Sequence, residues 1–232
     1  GFADVDKGIA VDGEQTLFRP GSVSKMFTWT ALLQQVEAGR VDLDADVNRY
    51  LDFKIPAFEG KPIRVRDLLS HTPGMSDVGG LTAPTPDKIT PYVEWMKTHI
   101  PTRHWPAGTE TSYSNYGSVL AGYIVERVSG EAFPDYVEKH IFAPLGMNST
   151  TFREPLPAAL APRMATGYQF KDGRLVADPF ERFSPVMPAG SGTSSGSDMA
   201  RFMIAMMNGG ALGKARILKP ASVKLLMTDS VA

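Results

Sequence analysis

The chain has 232 residues, 43% hydrophobic and 21% charged, the composition of a globular protein with room for one large domain or two small ones. Twenty-four Lys and Arg against 25 Asp and Glu leave a formal net charge of -1, which excludes the basic footprint of a nucleic-acid or anionic-membrane binder. The absence of cysteine excludes disulfides, a cysteine nucleophile and thiolate metal sites, and no apolar run nears the roughly 18 residues of a membrane span.

In chain order, Phe2 to Val5 and Thr16 to Phe18 are strand candidates joined by a turn at Asp12-Gly13, which predicts a hairpin. From Ser22 to Ala38, Met26, Phe27, Trp29, Leu32, Leu33 and Val36 are spaced for a broad apolar helical face, with Gly39 as the stop. Further helices are predicted over 65–70, 91–100, 115–128, 134–141, 197–207 and 220–227. Residues 74–90, 101–112 and 153–196 are rich in Pro, Gly, Ser and Thr and read as long ordered loops. Tyr92, Trp95, Met96 and the methionines at 199, 203, 206 and 207 fall at helical intervals and read as core. Gly1 already opens on strand-like alternation without an initiator Met, and the last helix stops just before Ala232. The chain therefore reads as a piece of a longer polypeptide.

The chemistry concentrates in "RPGSVSKMFTW", residues 19–29. Residues three apart on a helix share a face, so Ser22 and Lys25 bring a hydroxyl and an amine within hydrogen-bond range. A serine hydroxyl becomes a nucleophile when a base takes its proton, and lysine serves as that base when burial favours its neutral form. Backbone N–H groups at the helix entrance would stabilise the oxyanion formed on attack. The bland alternative is Ser22 as an ordinary N-cap. A second stretch, Tyr113-Ser114-Asn115, sits immediately before an apolar helix. There Tyr113 is either a proton carrier or a half-buried hydrogen-bonding ring, and the Asn115 amide suits gripping a substrate carbonyl.

Together these stretches resemble the serine beta-lactamase and penicillin-binding-protein superfamily, in particular its class C-like branch with D,D-carboxypeptidases and beta-lactamase-like esterases. "LFRPGSVSK" looks like its first motif and "YSN" like its second. "LLSHTPGM", "PAGT", "FAPLGMNSTTF" and "AGSGTSSGSDMARF" resemble its structural landmarks, in the expected order. The resemblance implies an α/β (α+β) fold with a large helical region and an antiparallel sheet: N-terminal strands over 1–21, a mostly helical region over 22–190 and a return towards the sheet over 191–232. It further implies Ser22 as nucleophile, Lys25 as base, Tyr113 as proton shuttle and Asn115 as substrate-orienting amide, with Gly190 and Ser191 lining the substrate site. The implied partner is a small or peptide-like substrate with a carbonyl, no cofactor is needed, and the resemblance tilts localisation towards periplasm or secretion. The family's third motif, a Lys- or His-led triplet on a strand, does not appear before Ala232, which implies missing C-terminal strands, a weaker oxyanion hole and feeble activity for these residues alone. A module that keeps the fold to recognise penicillin without turnover is the alternative.

Rival sites are weaker. Gly192-Thr193-Ser194-Ser195-Gly196 matches a Gly-x-Ser-x-Gly elbow, but the histidine that elbow needs must follow the serine and the last one is His140. The stretch reads instead as a loop and helix N-cap. His71 reads as a residue closing a short helix and hydrogen-bonding a loop. His99 and His104 lack a third ligand, so no metal is expected.

Overall fold

The structure, a computed structural model, describes residues 1–178 and 182–228; residues 179–181 of the 153–196 stretch and residues 229–232 at its end lie outside the described residues. Strand β1 (Phe2–Asp4) turns back through Gly8 and pairs antiparallel with β2 (Ile9–Ala10). The expected pairing of Phe2–Val5 with Thr16–Phe18 is therefore corrected. Asp12 accepts the N–H groups of Glu14 and Gln15 and gives its own N–H to Thr16 Oγ1. This side-chain-driven turn redirects the chain, so that β3 (Leu17–Phe18) runs to residues 194–195 instead.

A tight 3₁₀ turn, Gly21–Ser24, then leads into helix α1 (Lys25–Glu37), which stops at Gly39 in the left-handed region (φ +70°). Helices α2 (Val65–Leu69), α3 (Tyr92–Thr98) and α4 (Asn115–Ser129) follow where the periodicity predicts them. Every residue of α4 from Tyr116 to Val125 is buried, as expected for a helix enclosed on all sides by α1, α2, α3 and the elements that follow.

The predicted helix over 134–141 is broken into α5 (Phe133–Val137), a π-helical turn over Glu138–Phe142 and α6 (Ala143–Leu145). Pro144 has no N–H for the His140 carbonyl, which accepts from Gln34 Nε2 at 3.1 Å instead. The stretch read as one long loop contains a hairpin, β4 (Gly167–Lys171) with β5 (Arg174–Asp178). Its turn residues Asp172 and Gly173 both have positive φ, the two-residue turn that Asp-Gly favours.

Helix α7 (Met187–Gly190) and strand β6 (Ser194–Ser195), the partner of β3, precede α8 (Gly196–Met207). The hairpin β7 (Ala211–Leu212) with β8 (Ala215–Arg216) and helix α9 (Pro220–Leu226) complete the described chain. Among the described residues the strands form four two-stranded ladders, all antiparallel, beside a predominantly helical body. No described helix is long and apolar enough to cross a membrane.

The core is stitched at the start of α1 by an aromatic cluster. Phe27 meets Phe142 at 5.0 Å and Phe202 at 4.6 Å edge-on, and Phe152 closes the group against Phe133 at 5.2 Å. Tyr92, Trp95, Met96 and Met206 are buried as expected, but Met203 and Met207 are exposed. The inward face of α8 is taken by Phe202, Ala205 and Met206, and i, i+4 spacing places 203 and 207 together on the other side.

Candidate active site

The turn that opens α1 sets the first contact. In a 3₁₀ turn residues i and i+3 eclipse, so Ser22 and Lys25 project along one line, and the Lys25 N–H donates to the Ser22 carbonyl. Lys25 Nζ lies 3.0 Å from Ser22 Oγ. Ser22 is exposed, whereas the lysine is only 2% exposed.

Three oxygens surround the amine: Ser22 Oγ, Asn115 Oδ1 at 2.8 Å and the Ala189 carbonyl at 2.8 Å. The last two can only accept, so a neutral amine spends two N–H bonds on them and has the serine hydroxyl left for its lone pair. Burial pushes the pKa of Lys25 below the ordinary lysine value, against the opposing pull of the Tyr113 phenol and the Asp77 carboxylate. The site therefore holds an amine shifted towards its basic form and aimed at a hydroxyl.

Helix packing brings these groups together. Helix α7 reaches α1 with its terminal carbonyls: Pro188 O accepts from Thr28 Oγ1 at 2.6 Å and Ala189 O from Lys25. It approaches α4 through Gly122, where a Cβ would lie 2.4 Å from the Pro188 ring. On α4 the N-cap is Ser114, whose Oγ accepts the Gly117 N–H at 2.9 Å. The cap fixes its two neighbours, Tyr113 and Asn115, on the side of Ser22.

Tyr113, 46% exposed, donates its phenol proton to Ser22 Oγ at 2.7 Å, and its ring lies 4.8 Å from Lys25 Nζ. Asn115 is spanned between Lys25 and Asp77: Oδ1 accepts from the lysine, and Nδ2 donates to Asp77 at 3.2 Å. The sequence does not single out Asp77, which sits in a Pro/Gly-rich loop. Nor does it single out the Ala189 carbonyl, because a backbone acceptor has no residue-type signature.

The structure thus brings Ser22, Lys25, Tyr113 and Asn115 together. The other two expected residues follow Ala189, whose carbonyl bonds Lys25. Ser191 is fully buried with its Oγ donating to Phe152 O at 2.9 Å, and Gly190 is buried beside the Phe183 ring. In the rival elbow, Ser194 and Ser195 are buried; Ser194 Oγ bonds Thr150 Oγ1 at 2.8 Å and Ser195 Oγ caps α8 by accepting from Asp198 N–H at 3.2 Å. Neither hydroxyl faces solvent as a nucleophile must. His71 closes α2 and its Nδ1 accepts from Ser114 N–H, whereas His99 stacks on Trp95 at 5.0 Å. Among the described residues no three His, Asp or Glu side chains form a metal-binding group.

Comparison with known proteins bears on the family and the fold. The family model "Beta-lactamase" matches residues 1–231. A Bacillus subtilis (strain 168) protein that carries a penicillin-binding-protein name, PbpX, is 33% identical over 90% of this chain and 51% of its own length. Among solved structures, the octameric penicillin-binding protein homologue of Pyrococcus abyssi superposes with a TM-score of 0.84 at 27% identity, over 99% of this chain and 52% of that one. The D-amino acid amidase of Ochrobactrum anthropi SV3 gives 0.75 at 31% identity, over 96% of this chain and 62% of that one. The chain spans about half the length of the curated relatives it matches.

Proposed function

The chain belongs to the beta-lactamase family, and from that premise we propose that it is a serine hydrolase working through an acyl-enzyme on an ester, amide or lactam carbonyl, with ester hydrolysis or D,D-peptidase-type cleavage as its activity. One observation carries the reading: the Oγ of an exposed Ser22 within hydrogen-bond distance of both a buried Lys25 amine, 3.0 Å, and the Tyr113 phenol, 2.7 Å.

The steps follow from that geometry. Ser22 Oγ attacks the carbonyl carbon as its proton passes to the neutral Lys25, and the carbonyl oxygen takes up the negative charge. The backbone N–H of Ser22, at the entrance of α1, is the donor assigned to that oxyanion. Tyr113 hands its phenol proton to the departing oxygen or nitrogen and is re-protonated from Lys25, so that collapse leaves an acyl group on Ser22. Water then attacks the ester, gives its proton back through the same pair and releases the acid. Asn115 keeps Lys25 on Ser22 throughout.

The test is the time course of p-nitrophenolate release from a p-nitrophenyl ester. The reading expects a burst of about one equivalent per chain followed by slower turnover, absent in Ser22→Ala. Equal release by the two proteins contradicts it.

A further inference from the structure

His71 takes no part in those steps, yet it grips the segment that carries Tyr113 and Asn115 in three ways. Its carbonyl accepts from Ser112 N–H at 2.8 Å, its Nδ1 accepts from Ser114 N–H at 3.2 Å, and its ring stacks on the Tyr113 ring at 4.5 Å and 29°. On its other side the Trp29 ring of α1 meets it edge-on at 5.5 Å. The residue is held in the left-handed region (φ +54°), a conformation that costs a residue with a Cβ and persists where the surroundings impose it. Here they do: Thr72 N–H donates to Asp67 O at 2.9 Å, and Gly108 N–H donates to Thr72 O at 2.8 Å.

We propose that His71 is a positioning residue: as a neutral ring it seats Tyr113 on Ser22 and fixes the start of α4, and when protonated it lets both go, switching the site off on the acid side. The inference rests on the serine-hydrolase reading above.

Nδ1 accepts an N–H, so it carries no proton and the ring is the Nε2–H tautomer. Protonation would set one N–H against another at Ser114. Ser114 is the N-cap of α4 and lies between Tyr113 and Asn115, so releasing its backbone displaces both side chains. The charged groups facing the ring are Lys25 from α1 and Asp77 from the following loop, with the Tyr113 phenol beside it. Burial and then Lys25 hold the ring below the ordinary histidine pKa, Asp77 opposing, so the neutral form prevails at neutral pH.

The experiment follows phosphonylation of Ser22 in the 232-residue chain by a fluorophosphonate, with loss of fluoride, between about pH 5 and 9 in wild type, His71→Asn and His71→Leu. Asn tolerates positive φ and offers an oxygen to Ser114 N–H, but does not titrate. Below pH 6.5 the wild-type log-rate profile steepens from a slope of one to two, one proton for the base and one for His71. H71N stays within about fivefold of wild type at alkaline pH and keeps a slope of one, and H71L is slower by about 10–100-fold, the penalty of a misplaced catalytic group. A slope of two in H71N, or an H71L rate equal to wild type, overturns the proposal; a merely structural His71 would lower the rates without changing the slope.

Nuclear magnetic resonance decides independently of that labelling and of the folding of H71L. The Ser114 amide resonance moves with the His71 titration if the bond is lost on protonation, and an indifferent Ser114 amide overturns the proposal. Failure of the wild type to label at Ser22 instead refutes the serine-hydrolase reading, and the Ser114 titration still decides the positioning role.

Discussion

Lys25 Nζ and Asn115 Oδ1 lie 2.8 Å apart across 90 residues of chain. The other end of the same amide is held by the Asp77 carboxylate at 3.2 Å. A planar amide with one end on an amine and the other on a carboxylate has no freedom to flip, because flipping would oppose donor to donor and acceptor to acceptor. Asn115 is therefore a strut that orients the amine.

That strut makes the effect of Asp77 on the lysine separable from its effect on geometry. The carboxylate raises the pKa of Lys25, against the larger lowering by burial. Asp77→Asn keeps an oxygen for Asn115 Nδ2 and removes the charge, so the ammonium loses support and the pKa falls further. The acid limb of Ser22 acylation moves to lower pH in D77N. A limb that stays in place or moves to higher pH contradicts the assignment.

Lys25 also ties stability to pH. Its folded pKa lies below the unfolded value of 10.5, so between the two the unfolded chain binds more protons and stability rises with pH. Below the folded pKa the penalty for burying the ammonium is present in full, and above 10.5 it is gone. In urea unfolding, wild type gains on Lys25→Met as pH is raised through that window, while K25M slows labelling of Ser22 by about 10²–10⁴-fold where wild-type Lys25 is neutral, the range for losing a general base, and the gap narrows as pH falls along the wild-type acid limb. Parallel stability profiles for the two proteins would refute it.

The contact between α4 and α7 links packing to the site. A Cβ at Gly122 would fall 2.4 and 2.5 Å from two atoms of the Pro188 ring, which cannot swing aside. Gly122→Ala destabilises the fold by about 1–3 kcal/mol. It also slows acylation, because Ala189, next to Pro188, supplies one of the carbonyls that hold Lys25. Circular dichroism melts and labelling rates measure the two effects; an unchanged melting temperature would show that α7 yields.

Much of this site is legible in sequence because its parts are short-range. Ser22 and Lys25 are one turn apart, and Tyr113 and Asn115 flank a helix cap whose apolar periodicity is plain. What is not legible is what depends on tertiary approach. Asp77 looks like any acidic loop residue until Asn115 is beside it. The glycine-rich landmark leads to Gly190 and Ser191, whereas the group that reaches the lysine is the carbonyl of Ala189. The same limit governs the fold. Asp12-Gly13 carries a hairpin signal, but the Asp12 side chain uses it to send β3 elsewhere, and helical spacing alone does not say that Met203 and Met207 fall on the uncovered side of α8. The Asp172-Gly173 turn was readable, and was masked by the Pro- and Gly-rich stretch around it.

One hydroxyl, that of Ser22, is made nucleophilic by its neighbours Lys25 and Tyr113. Peptide mapping by mass spectrometry after fluorophosphonate treatment tests it most directly. A single adduct is expected, on the peptide containing Ser22, lost in Ser22→Ala and strongly slowed in Tyr113→Phe. An adduct on Ser194 or Ser195, or labelling that survives the loss of the Ser22 hydroxyl, would contradict it.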